Sequence, residues 1–205
     1  MTEQKPFTVC IARQSGAKGH EIGKQLSRRL GIRFYDKELL DRAARKTGID
    51  TEFISRHDET VERGFLAPLL DLTSSADSMG DRLFRQEMQL IRDLHSRERC
   101  VIIGRLSDYI LRNEDNVLNV YIYAPEDYRV ENIMTQNSIE RREARRLIRE
   151  KDAARESYYR FYSMNHWTQQ KGKDLMLDSE SFGVEGCVEI LSAAVRSRFG
   201  APEKR

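Results

Sequence analysis

No stretch of the sequence approaches the ~20 consecutive apolar residues of a membrane-spanning helix, and the opening residues 1–6 lack the apolar core of a secretory signal. Net charge is also scarce. Basic groups number 35 against 33 acidic ones, so no global field favours nucleic acid, and any electrostatic function must be local. Cysteine is limited to Cys10, Cys100 and Cys187, an odd number set in apolar runs or on an apolar helix face. This excludes a disulfide framework and predicts reduced core thiols in a cytoplasmic protein. His57, His95 and His166 lie far apart without ligand spacing, so no histidine metal site is expected. Internal repeats and low-complexity blocks are missing too. What is present, 39% hydrophobic and 33% charged residues over 205, is the composition of one domain with a sizeable core.

The chain alternates strand and helix patterns. An apolar run at residues 7–12 breaks into the polar loop 13–20 and re-enters as an amphipathic helix carrying Ile22, Leu26 and Leu30, stopped by Gly31. That order aims backbone amides and the positive end of a helix at one point, which suits a phosphate. The loop nevertheless does not spell G-x-x-x-x-G-K-[ST]. Arg13 and Lys18 stand at the two glycines, Gly19 at the lysine, and His20 with Glu21 at the hydroxyl position. Context therefore predicts phosphate binding where the pattern alone predicts a plain turn.

Residues 32–35 read as a short strand closed by Asp36, which can cap a helix from Lys37 or contact substrate. From 50 to 80 the pattern loosens into short helices and a serine-rich segment at 73–78, a candidate substrate flap. A helical face of Leu83, Phe84, Met88, Ile91 and Leu94 precedes a buried strand at 100–103 ending in Gly104-Arg105. A helix at about 107–112, a strand at 117–123 and a helix opened by Pro125 follow. An arginine-rich helix with a cap-like start at Ser138 runs to Tyr162, then a strand at 175–178 and a helix at about 184–195. Continuously apolar strands signal a parallel sheet covered on both faces, hence a three-layer α/β fold. Ligands then gather beyond the strands' carboxyl ends, where residues 13–20, Asp36, Arg105 and the loop after Tyr123 converge.

Residues 11–23, 34–39, 103–111, 152–159 with Trp167, and 174–179, in this order and spacing, resemble the cytidylate kinase-like family. It is a branch of the P-loop nucleoside monophosphate kinases. The resemblance implies a P-loop fold of about five parallel strands with a helical lid, in one domain. It implies a substrate-binding insertion at 37–82 and an arginine-rich lid at 138–172. It also implies ATP and Mg2+ as cofactors, and CMP or dCMP as the acceptor. Ser15, Gly16, Ala17, Lys18, Gly19, His20 and Glu21 would then cradle phosphate, with Arg129 flanking the adenine. Asp36, Arg105 and Asp108 would face the acceptor. Arg13, Lys18, Arg149, Asp152 and Arg155 would carry catalysis. The chain departs from the family at Ala17-Lys18, where small residues are usual, and at Leu106, where ordinary cytidylate kinases have an aspartate. Asp108 is the nearest replacement for that aspartate.

Phosphoryl transfer asks for in-line positioning and cations against phosphate oxygens, and lid arginines suit that need. Arg141, Arg145 and Arg149 share one helical face in a segment with eight basic and five acidic groups. The alternative is a solvated helix of Glu–Arg pairs. Tyr158, Tyr159, Phe161, Tyr162 and Trp167 are expected to pack that helix on the body and not to stack on RNA. The resemblance implies a small-molecule nucleotide as the partner, with neither nucleic acid nor membrane expected. Two functions stay open: an active nucleotide kinase, or a nucleotide-binding regulator without turnover. A kinase for another small acceptor shares the same scaffold.

Overall fold

In the computed structural model, residues 5–36, 79–168 and 170–200 are described. The apolar runs become strands because both faces of each are covered. Val9, Ile11, Val101, Ile103, Val120 and Ile122 point to one face, and Cys10, Cys100 and Ile102 to the other. Alternation is invisible in the sequence because neither face meets water.

The described elements are β1 (Thr8–Arg13), α1 (Gly19–Leu30), β2 (Arg33–Tyr35), α2 (Met79–Arg97), β3 (Cys100–Ile103) and α3 (Ser107–Ile110). They continue with β4 (Val117–Tyr123), α4 (Glu126–Asn137), α5 (Arg141–Ser163), β5 (Leu175–Asp178) and α6 (Ser179–Phe199). The five strands pair in parallel in the order β2-β3-β1-β4-β5. Helices α1 and α6 cover one face through Ile22, Leu26, Val188, Leu191 and Val195, and α2 and α3 cover the other through Leu90, Ile91 and Ile110. Each such side chain contributes about 1.5–3 kcal/mol by leaving water. β1 is central, so its carboxyl end lies in the middle of one edge of the molecule.

Helix α5 has 23 residues and is therefore about 34 Å long. Its first half buries Ala144 and Ile148 against Val130 and Ile133 of α4. Its second half places Tyr158, Tyr159 and Tyr162 in the core over α2 and α3, with Tyr162 stacked on Phe84 at 3.9 Å. Trp167 meets Tyr121 edge-on at 5.4 Å. Tyr158, Tyr159, Tyr162 and Trp167 pack the helix on the body, as expected, whereas Phe161 is exposed.

Some boundaries differ from the sequence reading, each for a local reason. Ser138 is left-handed and closes α4, donating its N–H to the Met134 carbonyl, so the cap position of α5 is Glu140. Helix α3 stops at Ile110. Helix α6 starts at Ser179 under the Asp178 carboxylate, which accepts from the Glu180 and Ser181 amides, and a non-helical Gly183 breaks its early periodicity. The three cysteines are buried and free. No helix among the described residues is long and apolar enough to cross a membrane. The expected flap, the helix after Asp36 and nearly all of the 37–82 insertion lie outside the described residues.

Candidate functional site

Between β1 and α1 the chain turns through residues 14–18. Gly16 has φ +80°, and a Cβ there would lie 2.4 Å from the Arg129 carbonyl oxygen, so only glycine fits. Gln14 ties the turn to β4: its N–H donates to the Ile122 carbonyl, and its Oε1 accepts from the Ala124 amide. Asn132 Nδ2 donates to the Gly16 carbonyl at 2.9 Å. Ala17 is fully buried, and Lys18 is left-handed at φ 54° with its ammonium 5.7 Å from the Tyr128 ring centroid. The amides at the start of α1 have no side-chain cap, which leaves donors for an anion.

The departure from the phosphate-loop pattern has a steric logic. A Cβ on Gly19 would sit 2.5 Å from the Arg13 Cβ. Arginine at the first glycine position thus fills the space that a lysine at 19 would need. The cation has moved from the helix onto the end of β1. Its guanidinium lies against Gly104, with Nη1 2.4 Å from where a Cβ of that residue would be. Among the described residues the Arg13 side chain makes no hydrogen bond or ion pair. Burial, then the like charges of Arg155 and Arg105, lower its pKa to about 9, with Asp152 and Asp36 opposing. At neutral pH it is a charged group that lacks an anion among the described residues.

Around it stand the other expected residues. Arg155 Nη1 donates to Ser15 Oγ at 3.0 Å and to Asp152 Oδ1 at 3.0 Å, and reaches the Arg13 carbonyl at 3.4 Å. Asp152 accepts from the Ser15 amide at 2.8 Å and from Arg129 Nη1 at 2.7 Å. Arg129 is buried and also donates to the Ala124 and Ser15 carbonyls, so it braces the loop from beneath. His20 bonds Asp36 Oδ2 at 3.0 Å, joining α1 to the end of β2. Glu21 is exposed and accepts from Gln25.

Arg105 projects from an unusual turn. Gly104, Arg105 and Leu106 are all left-handed, at φ 71°, 56° and 52°. For the two non-glycine residues this costs roughly 1–2 kcal/mol each, and such strain concentrates at functional sites. Arg105 Nη1 pairs with buried Glu87 Oε1 at 2.5 Å, and Tyr158 donates to the other Glu87 oxygen. Asp108 is buried, bonded by Lys173 and by the Tyr159 hydroxyl. It is a structural tie between α3, α5 and the approach to β5.

The sequence pattern of the cytidylate kinase-like family matches residues 8–181. The chain belongs to the cytidylate kinase-like family. A protein described as cytidylate kinase from Archaeoglobus fulgidus is 27% identical over 195 residues, covering 91% of this chain and 93% of that one. An uncharacterized protein from Eubacterium ventriosum superposes with TM-score 0.72 at 21% identity, covering 94% and 99% of the two chains. A gluconokinase from Sinorhizobium meliloti gives 0.58 at 12% identity, covering 97% and 96%. Shikimate kinase from Bacteroides thetaiotaomicron gives 0.54 at 14%, covering 93% and 98%. These three share the fold, a P-loop kinase architecture.

In this cytidylate kinase-like chain the arginines of α5 divide into two groups. Arg155 reaches the loop, whereas Arg141, Arg145 and Arg149 turn to acids of α4. Arg141 meets Asp127 and Glu131, Arg145 meets Glu126 and Asp127, and Arg149 lies 3.8 Å from Glu126. Four contributors escaped the sequence reading: Gln14, Glu87, Asn132 and Lys173. Only Gln14 carried a signal, its place inside the loop; the others act across more than 15 residues. Among the described residues no group of three or more His, Cys, Asp or Glu could hold a metal.

Proposed function

We propose that this chain transfers the γ-phosphoryl group of ATP to a nucleoside monophosphate, with CMP or dCMP as the first acceptor to test. The observation that carries this reading is Arg13, a cation without an anion among the described residues, at the end of the central strand and occupying the room that a lysine at 19 would need. Loop amides and Arg13 would hold the nucleotide's phosphates, and Arg155 would add charge where negative charge builds in transfer. Arg105, presented by its left-handed turn, would meet the acceptor's phosphate, and Asp36 would border the same space. Residues 37–82 would form the acceptor-side insertion and 138–172 the lid. Magnesium in such sites is held by phosphates, water and one or two carboxylates. ATP would therefore bring most of its coordination.

A coupled assay with ATP, Mg2+ and CMP, dCMP, UMP or AMP tests this directly. Turnover above background with CMP or dCMP supports it. Asp108 favours a second reading: the acid nearest the missing aspartate is engaged by Lys173 and Tyr159. On that reading the protein binds nucleotide without turnover, and tight ATP binding without product from any acceptor would establish it. In the active case, Arg105→Ala raises the acceptor KM about tenfold or more by removing a charged hydrogen bond. An unchanged KM removes Arg105 from the acceptor site.

A further inference from the structure

Asp152 stands in an arrangement that a simple structural ion pair does not need. Its Oδ1 accepts from the Ser15 amide at 2.8 Å and from Arg155 at 3.0 Å, and its Oδ2 from Arg129 at 2.7 Å. One donor is a loop amide and two are guanidinium groups, the set that recognises a phosphoryl group equally well. The carboxylate arrives from α5, 137 residues further along the chain.

The charge balance is uneven. Arg129 and Arg155 surround one carboxylate, and Arg13 adds a third cation with no partner among the described residues. Beside them the Tyr121 hydroxyl is buried without a hydrogen-bond partner among the described residues. Asp152 satisfies the cradle only in part, and an anion of higher charge would satisfy more of it.

We propose that Asp152 is a tethered stand-in for phosphate: it occupies an oxyanion position of the loop, and a ligand's phosphoryl group must displace it, uncoupling α5 from the loop. The proposal rests on the reading of residues 13–21 as a phosphate site and specifies how that site is regulated. The empty protein is latched by its own carboxylate. Phosphate affinity is set by a competition, and the occupant's departure leaves α5 held by its ends on α4 and on the aromatic cluster.

A reporter is already in place. Trp167 is the sole tryptophan. Its ring lies 5.9 Å from the Arg155 guanidinium and 5.4 Å from Tyr121. Inorganic pyrophosphate should be titrated into wild type, Asp152→Asn and Arg13→Gln, by calorimetry and by Trp167 emission. Asp152→Asn is expected to bind roughly tenfold tighter or better, because the charged competitor is gone. Emission of wild type should change on saturation, with the midpoint seen by calorimetry. Equal or weaker binding by Asp152→Asn overturns the latch, and so does wild-type saturation with unchanged Trp167 emission, a result that does not depend on any variant folding. If pyrophosphate binds wild type and Arg13→Gln abolishes binding while Asp152→Asn gains nothing, the phosphate site stands and the latch alone falls. If neither pyrophosphate nor ATP binds wild type or Asp152→Asn, both fall.

Discussion

Arg13 and Gly19 exchange roles across the loop. With 2.5 Å between the Arg13 Cβ and a Cβ built on Gly19, the two positions cannot both carry a long side chain. Gly19→Lys alone is therefore expected to lower Tm and weaken ATP binding, whereas Arg13→Gly with Gly19→Lys should recover both by placing the cation on the helix. Thermal melts and ATP titrations of the two variants check this, and a benign single Gly19→Lys would contradict it. Arg13→Gln has a different signature. Removing a guanidinium depressed by burial and by two like-charged neighbours should stabilise the ligand-free protein by about 1 kcal/mol, or roughly 2–4 °C in a protein of this size, while phosphate affinity falls tenfold or more. A residue that holds a ligand at the expense of the empty fold gives opposite signs in those two measurements.

At the scale of elements, α4 and the first half of α5 form a hairpin with a small core and an exposed ladder of ion pairs. The ladder is conspicuous but weak, because Arg141, Arg145, Asp127 and Glu131 are all well exposed. Arg145→Ala should change stability by about 0.5 kcal/mol or less. Ile148→Ala removes one of four buried side chains there and should cost about 2 kcal/mol or more, seen as faster amide exchange through α4 and residues 141–150. The strands were readable in advance because burial on both faces writes a continuous apolar run. Helix periodicity likewise gave α1 and α2, and strand–helix alternation brought residue 13, residue 36 and residue 105 to one edge. The spacing of Arg141, Arg145 and Arg149 gave a shared face but not what that face meets, since α4's acids enter only through the hairpin's packing. Gly183 hid the first turn of α6, and Lys173 gave no hint of Asp108, because the ion pair depends on where the segment between α5 and β5 meets α3. The relation of Arg13 to Gly19 was equally unreadable: two substitutions in a motif look like decay until their Cβ positions are known.

Across the whole molecule, the amino ends of the strands are tied by His95. Its Nδ1 lies 3.0 Å from Thr8 Oγ1 of β1, and its Nε2 lies 3.9 Å from Glu114, ahead of β4. Burial lowers its pKa below the usual 6.5, and Glu114 opposes this more weakly. The neutral ring is therefore favoured in the folded state. Its contribution is present above pH 6.5 and is lost as pH falls through the lower folded-state value. Tm should fall between pH 7 and 5, and His95→Gln should flatten part of that slope; an identical slope would assign the loss to other groups. The same scale governs the two ends of the described chain, where Phe7 stacks on Phe199 at 4.7 Å and α6 supplies Cys187, Val188, Leu191 and Val195 to the core over β1. Strand β1 leaves the ribosome well before α6 and waits for it. At the usual 5–20 residues per second that interval is on the order of ten to forty seconds, during which Ile22, Leu26 and their neighbours have no α6 to cover them. Synthesis, and not only sequence, thus sets when this core can close.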